Sequence, residues 1–229
     1  LIAQVQREDG VLSARPFIYT QSMLRSSSGA SGAVLKGIDP ASETEIAIEG
    51  MGEAFQKLYP PGKDKDQPGD GLPIVIGKEL GRKLSVVEGD TVYLLSFRGM
   101  VSPIGHVPAM KRFRVAGFFA SGMYQFDEAY AFVRLADAQR ILKMGDTVSG
   151  IEIRVKDIYQ ADKIAEQIKK NLGFPYWTKD WMQMNANLFF ALKLEKTAMF
   201  VILTLIVLVA AFNIASTLIM MVMKKTKDI

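Results

Sequence analysis

An uncharged stretch near the end of the chain constrains its fold more than any other feature. Residues 198–223 contain no Asp, Glu, Lys or Arg, and their only polar side chains are Thr204, Asn213, Ser216 and Thr217. The stretch is about 26 residues long, and about 20 apolar residues are enough to span a bilayer as a helix. The alternative is a buried core helix, but one of this length with no charge on any face needs a far larger domain. The sequence therefore predicts a transmembrane helix.

The charges on either side of this stretch predict its orientation. Lys224, Lys225 and Lys227 follow it directly, whereas the other end carries the mixed cluster Lys193, Glu195 and Lys196. An excess of Lys and Arg marks the cytoplasmic side of a membrane helix. We therefore expect residues 1 to about 197 outside the cytoplasm, and residues 224–229 at the start of a cytoplasmic segment.

The composition excludes several kinds of functional site. The chain has no cysteine and one histidine, His106, so we expect no disulfide, no metal site and no Ser-His-Asp triad. The nearest approach to a phosphate-binding loop, Gly77-Lys78, lacks both the first glycine and the following hydroxyl residue. Residues after Met223 carry half of the net charge of +4, which leaves no basic surface for nucleic acid. We expect no catalytic residue, no cofactor and no enzyme activity.

The first 179 residues mix short strands with short helices and predict an α+β domain. Predicted strands cover residues 16–21, 33–38, 91–96, 112–119, 129–133 and 151–155, and predicted helices cover 46–58, 75–84, 136–142 and 161–172. A second helix signal starts at Asp180, which can cap a helix through the backbone at Gln183. No Gly or Pro interrupts the chain from there to Met223. The sequence predicts an amphipathic stalk over 180–197 that continues into the membrane, or alternatively a helix docked on its own domain.

Residues 98–111 lie between two predicted strands and form an unusually long connection for a hairpin. Two glycines and two prolines disfavour continued strand pairing, so we predict a loop. Its apolar residues are Met100, Val101, Ile104, Val107 and Met110. A stiff apolar loop on a sheet is typical of a docking element. The alternative is a loop that folds back and buries these side chains on its own domain.

This loop also carries a resemblance to a known family. Ser102-Pro103-Ile104-Gly105 and Val107-Pro108 resemble the hook of lipoprotein-releasing (Lol) ABC transporter permeases of the C type, in the LolC/LolE family and the MacB/FtsX-like superfamily. Residues 37–40 (Gly-Ile-Asp-Pro) and residues 211–218 resemble other segments of that family, and the matches keep their order along the chain. Residues 136–139 and 148–151 resemble the E type. This mixture implies a hybrid permease that works as a homodimer, with a heterodimer subunit as the alternative.

The resemblance implies a domain organisation. Residues 1–71 and 143–179 would form a Porter-like α/β unit, and residues 72–142 an inserted β-rich Sabre-like unit with the hook loop at 98–111. The stalk helix would cover 180–197 and the membrane helix 198–223. We expect the chain to be a piece of a longer permease that has further membrane helices.

The resemblance also implies site residues and partners. The hook would dock a periplasmic lipoprotein carrier through Met100, Val101, Ser102, Pro103, Ile104, Gly105, His106, Val107, Pro108 and Met110. Met199 and Phe200 would contact membrane lipid and acylated lipoproteins. Lys227, Asp228 and Ile229 would lead to the contact with a cytoplasmic ATPase subunit, which would bind the ATP. The alternatives are a MacB-like efflux or mechanotransmission permease without a lipoprotein substrate, a membrane-anchored binding module, and a soluble enzyme.

Overall fold

A computed structural model of the chain describes residues 1–39, 51–59, 71–102 and 105–225, which form two compact units. The first unit is Leu1–Lys156 and the second is Asp157–Ile229. The first unit is a mixed α/β domain and the second is helical, with a long apolar helix at its end. The predicted α+β class is confirmed.

The first unit contains seven strands and five helices in its described residues. The strands are β1 Val11–Arg25, β2 Ala30–Ile38, β3 Leu72–Gly77, β4 Thr91–Ser102, β5 Gly105–Phe119, β6 Tyr130–Arg134 and β7 Gly150–Val155. The helices are α1 Ile2–Val5, α2 Met51–Gln56, α3 Lys78–Leu84, α4 Tyr124–Ala129 and α5 Leu135–Leu142. The helix predicted over 75–84 was wrong in its first part, because residues 75–77 belong to the buried strand β3. The first five residues of the helix predicted over 46–58 lie outside the described residues.

Six of the strands close into a barrel. The pairing order is β2-β6-β3-β5-β4-β1, and β1 pairs again with β2. Closure depends on the second half of β1, which pairs with β2 from Ile18 to Arg25 and with β4 from Ser22 to Arg25. The first half of β1 pairs with β7 instead. Closing a sheet in this way removes the free edges between the first and last of the six barrel strands, whereas β7 remains at an edge.

Alternating residues of the barrel strands fill its interior. Ile18, Leu35, Ile74, Val92, Phe113 and Val133 each belong to a different strand and are buried in one cluster. Helices α3 and α5 add Leu80, Leu84, Ala138 and Ile141 to the same cluster. A second cluster forms where α2 contributes Phe55, whose ring centroid lies 4.8 Å from that of Phe132 in an edge-to-face arrangement. Ile74 and Val75 face different clusters, as the two-residue period of a strand requires.

The strands of residues 72–142 share this barrel with β1 and β2. The predicted boundaries of the Porter-like and Sabre-like parts are not tested by this arrangement and stay predictions. Contacts between sequence-distant strands nevertheless tie both parts to one hydrophobic interior.

Gly77 provides a stability test for the first unit. It ends β3 with φ −62° and ψ 146°, a conformation open to any residue, but a Cβ there would overlap the main-chain carbonyl of Asp127. We expect Gly77→Ala to lower the free energy of unfolding by about 1–3 kcal/mol, because backbone must move to make room. Thermal unfolding of the purified protein measures the loss. Gly32→Ala is the control, since no atom lies within 4 Å of its Cβ position; equal melting of the two variants would contradict the prediction.

Candidate functional site

The segment predicted as a loop is a β-hairpin, so that prediction was wrong in its secondary structure. β4 continues through Ser102 and β5 starts at Gly105, with Met100 opposite Val107 and Ser102 opposite Gly105. Pro103 and Ile104 lie outside the described residues. We call residues 97–102 and 105–109 the arm. Its two strands pair with each other beyond the last pair of β4 with β1, which is Ser96 with Ser22.

A bulge explains how the arm accommodates a proline. The register shifts between Ser96 and Met100, so that residues 97–99 of β4 stand opposite Pro108 alone. Proline has no N–H and is excluded from regular strand pairing, but it is tolerated at a bulge, where the ladder of hydrogen bonds is already interrupted. Pro108 favoured a loop in the sequence analysis, but in the structure it lies at the bulge of a hairpin.

The arm joins the barrel at a surface formed by three neighbouring strands. Met23, Leu95 and Met110 are in register across β1, β4 and β5, and Arg25, Tyr93 and Arg112 form the next row in register. We call these six residues the arm base. Met110 is 60% exposed and Tyr93 is 37% exposed. An apolar row and a row with an aromatic ring between two arginines are therefore neighbours on the outer face of the barrel.

A cleft of about 580 Å³ lies against the arm base. Its lining residues are Arg25, Ser26, Ser27, Val86, Asp90, Thr91, Tyr93, Met110 and Arg112. Ser26 fixes the wall of the cleft because its hydroxyl donates to the carbonyl oxygen of Leu84 at 2.6 Å and accepts from the N–H of Gly29 at 3.0 Å. The cleft combines an apolar Met110, the aromatic ring of Tyr93, two arginines and the carboxylate of Asp90.

Sequence reasoning singled out Met110 but not Met23, Arg25 and Tyr93, which share its surface in the structure. Met23 and Arg25 lie about 70–90 residues before their neighbours on β4 and β5, and nothing local connects them because strand pairing is a non-local contact. The two-residue alternation of β1 does indicate that Met23 and Arg25 share a face. Which strand lies beside them is visible only in the structure.

The stalk begins where the sequence predicted. The second unit contains a short 3-10 helix Ile158–Gln160, α6 Ala161–Leu172, α7 Trp181–Met184 and α8 Ala186–Lys225. The carboxylate of Asp180 accepts from the N–H of Gln183 at 2.7 Å, which confirms it as the N-cap of α7. The helix is interrupted at Asn185, whose side-chain amide donates to the carbonyl oxygen of Trp181 at 2.7 Å. The uninterrupted helix predicted from Asp180 onward is therefore two helices.

Side-chain hydrogen bonds tie the start of the stalk to the rest of its unit. The indole N–H of Trp181 donates to the carbonyl oxygen of Ile158 at 3.0 Å, and the hydroxyl of Thr178 donates to that of Ala165 at 2.9 Å. Ahead of α6, Asp157 accepts from the side chain of Gln160 and from the N–H of Tyr159, both at 2.9 Å. These bonds stabilise the carboxylate, so they hold the pKa of Asp157 below its ordinary value. Hydrogen bonds within the second unit therefore hold the start of α7 in place.

Helix α8 has the length and composition of a membrane span. It contains 40 residues, about 60 Å at 1.5 Å per residue, and the most apolar part of it has no buried residue. Met199 and Phe200 are exposed side by side in this helix. The structure places them in the second unit and the arm in the first, and each unit is described by itself. Lys227, Asp228 and Ile229 lie outside the described residues.

The described part of the chain contains no group of three or more His, Cys, Asp or Glu side chains placed to hold a metal ion. The arm base and the cleft offer contacts rather than a reacting group.

Comparisons with known proteins agree with this description. The model of a family described as MacB-like periplasmic core domain matches residues 1–171. The lipoprotein-releasing system transmembrane protein LolC of Xylella fastidiosa is 35% identical over 228 residues, covering 100% of this chain and 53% of that protein. LolC of Neisseria meningitidis is 32% identical over 230 residues, covering 100% and 54%. LolE of Haemophilus influenzae is 25% identical over 227 residues, covering 99% and 53%.

Solved structures give a more distant likeness. The periplasmic region of MacB from Actinobacillus actinomycetemcomitans superposes with a TM-score of 0.44 at 12% identity, covering 74% of this chain and 72% of that one. The extracellular domain of the transporter YknZ from Gram-positive bacteria gives 0.41 at 14% identity, covering 78% and 83%. The chain spans about half the length of the curated relatives it matches.

The N-cap of α7 supplies a prediction about the stalk. Asp180→Ala removes the acceptor for the N–H of Gln183, and loss of such a cap costs about 1 kcal/mol. We expect faster amide hydrogen exchange at Gln183 and Met184, because the first turn of the stalk opens more often. Asp180→Asn is the matched control, since its side-chain oxygen still accepts the bond. Unchanged exchange in the alanine variant would show that other contacts hold the turn.

Proposed function

Because the chain belongs to the family of MacB-like periplasmic core domains, we propose that it is part of the permease subunit of an ABC transporter that extracts lipoproteins from the bacterial inner membrane. The observation that carries the proposal is the two-stranded arm, which stands at the segment that resembles the hook. It occurs in a chain that aligns along its whole length with proteins named for lipoprotein release. Extracted lipoprotein would pass to a periplasmic carrier docked on the arm.

The arm suits carrier docking for physical reasons. Cross-strand pairing fixes its backbone before any partner arrives, which lowers the entropy cost of binding. The arm base adds an exposed methionine, an aromatic ring and arginines, residue types that are enriched at protein interfaces. The carrier would contact the arm first and then the arm base, with acidic groups facing Arg25 and Arg112.

The second unit supports a mechanical role. We propose that residues 198–223 of α8 cross the inner membrane, with residues 1 to about 197 in the periplasm. Met199 and Phe200 would contact lipid and the acyl chains of the cargo near the outer face of the membrane. The hydrogen bonds of Trp181 and Thr178 would pass a movement of α8 to Ile158 and Ala165 in the same unit.

The remaining parts of the transporter would be separate. A cytoplasmic ATPase subunit would bind and hydrolyse ATP and would contact the protein beyond Lys227, Asp228 and Ile229. The permease itself would need no cofactor. A second copy of this permease would complete the transporter as a homodimer, and a paralogous permease is the alternative. Binding of nucleic acid has no role in this proposal.

Site-specific photocrosslinking tests the carrier contact. A photoreactive residue replaces Met110 at the arm base of the full-length permease in native membranes, in cells that contain the periplasmic lipoprotein carrier. Met123 is the matched control, because it is also a methionine of the first unit and is 57% exposed against 60% for Met110. We expect a crosslink to the carrier from position 110 and none from position 123, because only the former lies on the arm base.

The crosslinking result distinguishes lipoprotein release from the alternative functions. A carrier crosslink from position 110 alone supports lipoprotein release. No crosslink from either position, with both proteins present, contradicts it and favours a MacB-like efflux or mechanotransmission permease. In both of these cases an ATPase subunit should co-purify with the intact permease in mild detergent. Purification without an ATPase would contradict every transporter function and favour a membrane-anchored binding module.

A further inference from the structure

Strand β7 has an open side. It is the last strand in the pairing order, and among the described strands it pairs with β1 alone. None of its six residues is buried. A strand at the edge of a sheet presents a row of N–H and C=O groups that can pair with a strand of another chain. The open side of β7 is therefore a surface to which a further strand can add.

Pro16 determines which backbone groups of β7 point to the open side. Pro16 stands opposite Ile151 in the antiparallel pairing of β1 with β7. Because proline has no N–H, this pair is one that lacks mutual hydrogen bonds. Such pairs alternate with hydrogen-bonded pairs, so Ile153 opposite Ala14 belongs to the same set. The N–H and C=O groups of Ile151 and Ile153 therefore point away from β1.

The charges of β7 restrict which strand can pair there. Glu152 and Arg154 are exposed on one face of the strand. Opposite charges that face each other across a strand pair stabilise it, and like charges destabilise it. An antiparallel partner therefore needs a basic residue opposite Glu152 and an acidic residue opposite Arg154. Glu152 is the only acidic residue in the seven described strands, so β7 itself is the only one of them that meets this condition.

The existing ion pair of Glu152 leaves room for a second partner. Its Oε2 accepts a hydrogen bond from Nζ of Lys36 at 2.6 Å. The side chain of Glu152 is nevertheless 58% exposed, and a carboxylate accepts several hydrogen bonds through its two oxygens. An arginine of an added strand can therefore bind the same carboxylate.

We propose that β7 pairs antiparallel with β7 of a second copy of this chain, about a two-fold axis at Ile153. In this register Ile153 faces Ile153 of the second copy, Ile151 faces Val155, and Glu152 faces Arg154 in both directions. The charged pairs occupy the positions without mutual hydrogen bonds, where side chains approach most closely. The proposal rests on the homodimer in the proposed function, and not on carrier docking.

The same charges disfavour the neighbouring registers. An axis at Val155 would place Arg154 opposite Lys156 of the second copy, which brings like charges together. An axis at Ile151 would place Glu152 opposite Gly150, which removes the ion pairs. The register centred on Ile153 is therefore the one that the sequence of β7 favours.

Cysteine crosslinking of the full-length permease tests this register. The chain has no cysteine of its own. Two differently tagged copies with Ile153→Cys are expressed together, native membranes are oxidised, and protein without the added cysteine gives the background. Residues paired across an antiparallel ladder have Cα atoms about 4.5–5.5 Å apart, which suits a disulfide. We expect linkage of the two tags about tenfold above that of Ile151→Cys, the matched control, because the two copies of residue 151 would lie about 13 Å apart along the strands.

A mixed pair tests the register without changing residue 153. One tagged copy carries Ile151→Cys and the other carries Val155→Cys, which the proposal places opposite each other. We expect this mixture to crosslink about as well as Ile153→Cys. Equal linkage by Ile151→Cys alone and Ile153→Cys, no linkage in the mixed pair, or linkage only to a different protein would overturn the proposal.

Charge reversal tests the ion pairs. In the Ile153→Cys background, Glu152→Arg or Arg154→Glu in both copies places like charges opposite each other, so we expect the linked fraction to fall about tenfold. Expressing a Glu152→Arg copy with an Arg154→Glu copy restores opposite charges at both positions, and we expect most of the linkage to return. That recovery would exclude misfolding and loss of the Lys36 ion pair as causes. Unchanged linkage in the single variants, or no recovery in the mixture, would overturn the proposal.

Two crosslinks distinguish failure of this proposal from failure of the proposed function. A carrier crosslink from position 110 without linkage between copies at position 153 would overturn only the β7 pairing. Linkage at position 153 without a carrier crosslink would support the β7 pairing and contradict lipoprotein release.

Discussion

The arrangement of the first unit depends on the backbone pairing of β1. This strand has 15 residues, and its two halves have different partners: β7 pairs with the first half, while β2 and β4 pair with the second. Without the four β1–β4 pairs from Ser22 to Arg25, the sheet would be open between β4 and β1. Those same pairs bring Met23 and Arg25 beside β4. The strand pairs that close the barrel therefore also assemble the arm base.

Closure also determines where the arm begins. From Tyr93 to Ser96, β4 pairs with β1 on one side and with β5 on the other, so this part of the strand belongs to the barrel. Beyond Ser96 only β5 remains as a partner, and the bulge opposite Pro108 interrupts the pairing at this transition. Bulges bend and twist a strand pair. The bulge therefore bends the arm at the point where pairing with β1 ends, whereas the arm base remains paired across three strands.

Local sequence signals predicted the parts of this structure that are held together locally. The spacing of Ala161, Ile164 and Ile168 predicted α6, and Asp180 with Gln183 predicted the start of the stalk. Signals against strand pairing were misleading at Gly99 and Pro108, because a bulge uses the residues that a loop also uses. The joining of Met23 and Arg25 to Tyr93 and Arg112 could not be predicted from one sequence. It depends on which strands are neighbours, and alternation along a strand gives its faces but not its partners.

Helix α8 follows a different physical rule from the barrel. In the barrel, apolar side chains are buried against one another, whereas the apolar residues of α8 are exposed over more than six turns of helix. Lys193, Glu195 and Lys196 end the uncharged part on one side, and Lys224 ends it on the other. Backbone hydrogen bonds within α8 satisfy its own peptide groups, which is the condition for a helix in lipid. Its threonines extend this rule to side chains by bonding to carbonyl groups four residues earlier.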